Sequence, residues 1–111
     1  MIGIEVDLKP QNRDAIRTGP LASSISLVDG SSVDANTLAA VRAQIRTGEK
    51  VMVVLDSNHT RDHVLAELRA YAPLVTTGSY IVVCDGHHAG SRWSTALLSR
   101  LELEQSKRGR F

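Results

Sequence analysis

The sequence predicts an α/β fold of about four parallel strands with flanking helices, and three observations carry that prediction. Strand-like and helix-like segments alternate from residue 1 to about residue 107, the pattern of βαβ units. The runs Val-Met-Val-Val-Leu from Val51 and Tyr-Ile-Val-Val-Cys from Tyr80 are apolar without alternation, as in strands covered on both faces. Each run ends in a carboxylate, Asp56 and Asp85, at the strand end where open parallel sheets place their ligands.

Met1 to Val6 reads as the first strand, and Pro10 suits the first turn of a short helix that Gly19-Pro20 breaks. Ser24 to Val28 is the second strand. Asp34 can cap a helix whose apolar face is Leu38, Val41 and Ile45, with Gly48 as its stop. Val51 to Leu55 is the third strand. Thr60 opens a helix that buries Val64, Leu65, Leu68 and Tyr71 and ends before Pro73. Gly78 precedes the fourth strand. Beyond Gly86 the residues His87, His88, Gly90 and Ser91 read as loop, and Ala96 to Leu103 as a helix with no strand after it.

A chain of 111 residues makes a single domain, burying roughly two-thirds of the surface its unfolded form exposes. A net charge of +1 supplies no global field for nucleic acid or membrane. The basic residues Lys107, Arg108 and Arg110 follow Glu102 and Glu104 and read as a solvated terminus. With one cysteine, Cys84, no disulfide forms within the chain. That thiol reads first as a small buried hydrophobe and second as a reactive group. No apolar run approaches the ~18 residues of a membrane span, and the start has no signal-peptide pattern. A cytoplasmic location is the default expectation.

Two acids, Glu5 and Asp7, stand at the end of the first strand on one side of the ribbon. An acid there can accept both protons of a ribose diol; a solvent-facing acid is the alternative. After the second strand, Asp29-Gly30-Ser31-Ser32 precedes a helix, where small residues let backbone amides approach a ligand. The loop lacks the lysine of a Walker motif and the spaced glycines of a dinucleotide fingerprint, so turn formation with capping by Ser32 or Asp34 is the competing account. Asp56 and Asp85, if on neighbouring strands roughly 4.8 Å apart, can share one hard cation; each could equally cap the helix after it. His59, His87 and His88 gather at the same strand ends. They are candidates for an iron or zinc site, or plain surface groups, and His59 is the candidate general base.

Taken together, Ile2-Gly-Ile-Glu-Val-Asp-Leu-Lys9, Gly30-Ser-Ser-Val-Asp34, Val54-Leu-Asp-Ser-Asn-His59, His63-Val-Leu-Ala-Glu-Leu68, Tyr71-Ala-Pro-Leu-Val75 and Gly78-Ser-Tyr-Ile-Val-Val-Cys-Asp85 resemble the cephalosporin hydroxylase and rhamnosyl O-methyltransferase family. The resemblance spans residues 2 to about 86, leaving 87 to 111 divergent. It implies a Rossmann-like, S-adenosylmethionine-dependent O-methyltransferase, of a family in which several members use a magnesium ion to orient the acceptor oxygen. On that basis Glu5, with Asp7 beside it, would hold the cofactor ribose. Gly30, Ser31 and Ser32 would lie beside the adenosine, and Asp56 and Asp85 would be magnesium ligands.

Departures from the family pattern shape the expectation. A strand and a glycine-rich loop precede this segment in the family, and Cys84 stands where a further glutamate ligand is frequent; a thiol is too soft for magnesium. The expectation is a partial Rossmann-like domain, truncated at both ends, with half a cofactor pocket, a weakened metal site and weak or no activity alone. The missing strand would leave two unpaired edges, which invite self-pairing, so a homo-oligomer is expected. The alternative is a non-catalytic interaction module that keeps the scaffold.

Overall fold

The computed structural model describes residues 1–84. Asp85, His87, His88 and the expected helix from Ala96 to Leu103 lie outside the described residues. The chain divides into two compact units, Met1–Glu49 and Lys50–Phe111. Its class is α/β, with the strands pairing two by two, β1 (Ile2–Glu5) with β2 (Ser26–Asp29) and β3 (Val53–Leu55) with β4 (Ile81–Val83). Both pairs are parallel, whereas the sequence suggested one run of about four strands.

In the first unit, α1 (Pro10–Thr18) starts where proline can start a helix, because its missing N–H would have had no intrahelical partner. Gly19 ends it. The second strand begins at Ser26 rather than Ser24, because residues Ala22–Ser24 wind into a single 3-10 turn. Register partners run from Ile2↔Ser26 to Glu5↔Asp29. Two further bonds prolong the ladder, Ser26 N–H to the Met1 carbonyl at 2.9 Å and Gly30 N–H to the Glu5 carbonyl at 3.0 Å. Helix α2 (Ala35–Gln44) is capped as expected by Asp34, whose Oδ1 accepts from the Asn36 N–H at 3.1 Å. It buries Thr37 and Val41, while Leu38 and Ile45 are only half-buried.

In the second unit, α3 (Arg61–Tyr71) packs against β3. Thr60 stands at its N-cap, but its side chain makes no capping bond. The core here is Leu55, Val64, Leu68 and Tyr71, and Leu65, expected inside, is half-buried. Fully burying one such side chain contributes ~1.5–3 kcal/mol. The third strand begins at Val53 rather than Val51, because Val51 is tied elsewhere. Its N–H donates to Thr76 Oγ1 at 2.9 Å, and its carbonyl accepts from the Thr76 N–H at 3.3 Å. Gly78, at φ 80°, turns the chain into β4. Period-two alternation puts Met52 and Val54 on one face of β3, with Tyr80 and Val82 beside them. All four are exposed, from 42% for Val82 to 72% for Tyr80.

No helix among the described residues is long and apolar enough to cross a membrane.

Candidate functional site

The carboxyl end of the β1–β2 pair brings Glu5 beside the start of the Gly30 to Ser32 loop, with Asp7 two residues beyond Glu5. Glu5 and Asp29 close the two strands as register partners, and the loop Gly30 to Ser32 leaves from the same edge. Glu5 folds its carboxylate over its own turn, where Oε1 accepts from the N–H groups of Val6 at 2.9 Å and Asp7 at 3.3 Å. Among the described residues Oε2 has no such bond. Asp7 is exposed and paired with Lys9 Nζ at 2.8 Å. Asp29 is held by Arg13 of α1, whose Nη2 reaches both carboxylate oxygens at 2.5 and 2.6 Å, so one of two adjacent negative charges is compensated within the fold.

Gly30 has φ 142°, a value side chains disfavour, and a Cβ there would collide with Oγ1 of the buried Thr37. Its place is fixed by α2 lying close over the loop as well as by any ligand. Ser31 Oγ accepts from the Val33 N–H at 3.4 Å, so the loop is shaped by its own hydroxyls and by Asp34.

At the carboxyl end of the β3–β4 pair, Asp56 follows the buried Leu55 and is exposed. The Leu55↔Val83 register makes Asp56 level with Cys84, whose N–H donates to the Leu55 carbonyl at 2.9 Å. Cys84 is half-buried at the strand end rather than inside the strand. A hard and a soft donor therefore stand at level positions on neighbouring strand ends, and no group of three or more histidine, cysteine or acidic side chains among the described residues forms a metal cage. A magnesium ion that keeps most of its waters needs only one or two carboxylates, and Asp56 is an exposed carboxylate at this strand end. His59 is exposed in the loop before α3.

The sequence reading missed the acid that this end buries. Glu67 of α3 is only 2% exposed, and its Oε1 accepts the Ser57 hydroxyl at 2.6 Å. His63, one turn earlier, places Nε2 at 3.3 Å from both Ser57 Oγ and Glu67 Oε1. Both oxygens can present lone pairs there, so the tautomer protonated at Nε2 is the one that makes both contacts attractive. Tyr71 lies one turn beyond Glu67, and its pKa is raised, first by burial and then by the charge of Glu67. A signal for Glu67 existed: it falls in the Val64, Leu68, Tyr71 stripe at helical spacing, an acid on an apolar face.

The family profile described as Rhamnosyl O-methyltransferase/CmcI matches residues 1–96. Rhamnosyl O-methyltransferase of Mycobacterium leprae is 38% identical over 60 residues, 50% of this chain and 26% of that protein. The proteins of the same name from Mycobacterium bovis and Mycobacterium tuberculosis are 44% identical over 41 residues, 37% of this chain and 17% of theirs. The matched stretch thus spans about a quarter or less of the length of these relatives. No solved structure matches significantly. The chain belongs to the rhamnosyl O-methyltransferase/CmcI family of O-methyltransferases.

Proposed function

We propose that this chain is the adenosine-binding part of a partial Rossmann-like, S-adenosylmethionine-dependent O-methyltransferase, with weak or no activity by itself. One observation carries the reading: Glu5 and the Gly30 to Ser32 loop meet at the carboxyl end of one parallel strand pair. The second oxygen of Glu5 is left to accept ribose hydroxyls, which a carboxylate can take in pairs. Asp7 stands next in line, and the half-buried Ser31 and Ser32 would flank the adenosine. When bound, S-adenosylmethionine supplies a sulfonium methyl group to an acceptor oxygen.

In this reading Asp56 and Asp85 would hold a magnesium ion, and the chemistry it would supply when bound is positive charge for an acceptor oxygen. Cys84 contributes nothing to it, because a hard cation prefers oxygen. His59 takes the hydroxyl proton of the acceptor, which raises that oxygen's nucleophilicity. Calorimetry with S-adenosylmethionine or its demethylated product tests the proposal. Binding at micromolar strength supports it, and no heat at millimolar ligand contradicts it.

The apolar face of β3–β4 favours a second reading, a non-catalytic module that assembles with itself. Met52, Val54, Tyr80 and Val82 form a contiguous patch, and such patches mark interaction surfaces. Among the described residues each strand pair also has two outer edges, and unpaired edges invite a further strand. In that reading the chain is a homo-oligomer whether or not it binds a small molecule. Size-exclusion chromatography with light scattering at tens of micromolar would contradict it by showing a folded monomer.

A further inference from the structure

Replacing Glu67 by an apolar residue of the same size would remove the cost of burying a carboxylate on the apolar face of α3. What the glutamate gives in return is a bond to Ser57, the residue next to Asp56. Three anchors then fix the loop between β3 and α3. Leu55 is sunk in the core. Ser57 is held at 2.6 Å by Glu67, with His63 Nε2 against the same hydroxyl at 3.3 Å. Asn58 closes a turn by accepting from the Thr60 N–H at 2.9 Å, a local side-chain bond of the kind that shapes tight loops. Asp56 is caught between the first two anchors and stays exposed, so its backbone is fixed on both sides while its carboxylate faces solvent.

We propose that Glu67 is a positioning residue. Through the Ser57 hydroxyl it holds the loop in the conformation that presents Asp56 at the end of β3, and His63 braces the same bond. The inference rests on the reading of Asp56 as a magnesium ligand for its functional meaning, but its structural content stands apart from that reading. Outer-shell partners of metal ligands characteristically change metal affinity ~10–100-fold, because they set ligand direction rather than supply a donor.

The test uses the full 111-residue chain, with Mn²⁺ as a paramagnetic substitute for magnesium. Nitrogen relaxation of residues 56–59 reads loop order, and Mn²⁺-induced broadening of the same amides reads binding. Glu67→Met fills the site but removes the acceptor, Glu67→Gln keeps an acceptor oxygen, and Ser57→Ala removes the donor. The proposal expects lower order at 56–59 in Glu67→Met and Ser57→Ala, with Mn²⁺ binding weakened ~10-fold or more, and both restored toward the parent in Glu67→Gln. A merely packing role for Glu67 would make Glu67→Met benign. Unchanged loop order in Ser57→Ala overturns the proposal, and Ser57→Ala keeps it testable if Glu67→Met does not fold. Absence of broadening in the parent chain overturns the metal reading alone, and loop order then decides the positioning role by itself.

Discussion

Glu5 and Asp29 are register partners at the carboxyl ends of neighbouring parallel strands, and only Asp29 is gripped by an arginine, with both of its carboxylate oxygens on Arg13 Nη2. Two like charges side by side would otherwise weaken the pair. With Asp29 compensated from α1, the turn closes on Glu5 Oε1 alone, and among the described residues Oε2 accepts no hydrogen bond. The arrangement divides the work between two acids of the same charge.

The Arg13–Asp29 pair should contribute little to stability despite its geometry, because the Asp29 side chain is 63% exposed and exposed pairs are worth ~0–1 kcal/mol. Urea unfolding of Arg13→Ala is expected to show a loss within that range that shrinks further at high salt. A loss of several kcal/mol would mean that Arg13 also anchors α1.

Gly30→Ala should cost more, ~1–3 kcal/mol, from a disfavoured φ together with the collision with Thr37 Oγ1. Removing that oxygen in Thr37→Ala relieves the collision but not the backbone strain. The two substitutions are therefore expected to be non-additive in a double-mutant cycle followed by urea unfolding, Gly30→Ala costing less in the Thr37→Ala background. Additivity would show that the strain is purely local.

In the second unit, Leu68→Ala is expected to cost ~2–5 kcal/mol, as for a large side chain removed from a packed core. Val54→Thr, on the exposed face of β3, should leave the urea midpoint within ~0.5 kcal/mol of the parent and reduce self-association in light scattering. A large loss of stability in Val54→Thr would mean that this face is covered in solution.

Tyr71 predicts an alkaline limit. Its pKa is raised above the ordinary 10.0 by burial and by Glu67, so above that pH the unfolded chain loses the phenolic proton before the folded one does. The folded state then binds more protons, and stability falls as pH rises. Below pH 10 the contribution is fully present; it is lost as pH climbs through the raised value. Thermal unfolding between neutral and strongly alkaline pH should show this decline, and Tyr71→Phe should flatten it.

Much of the architecture was legible because it rests on local rules. Pro10, Asp34, Gly19 and Gly78 act within a few residues of themselves, and helix or strand identity followed from spacing. Strand starts slipped by two residues at Ser26 and Val53, where a 3-10 turn and the Val51–Thr76 link take over the backbone groups. Long-range partners were not legible. Nothing near Arg13 in the sequence points to Asp29, sixteen residues away. In the sequence Gly30 reads as room for a ligand, but Thr37 also demands that room. Glu67 is readable in principle, as an acid in an apolar stripe, but its partner Ser57 lies ten residues away and no local rule points to it. Asp7 and His59 lie at the predicted strand ends, both exposed, and Asp85 is outside the described residues.

The central claim is that the carboxyl end of β1–β2 holds the adenosine half of S-adenosylmethionine. Titrating the isotope-labelled chain with S-adenosylhomocysteine and following amide shifts tests it residue by residue. The account predicts saturable shifts concentrated at Glu5, Val6, Asp7 and Asp29 to Ser32, with affinity lost in Glu5→Gln. Shifts centred elsewhere, or none at millimolar ligand, would contradict it.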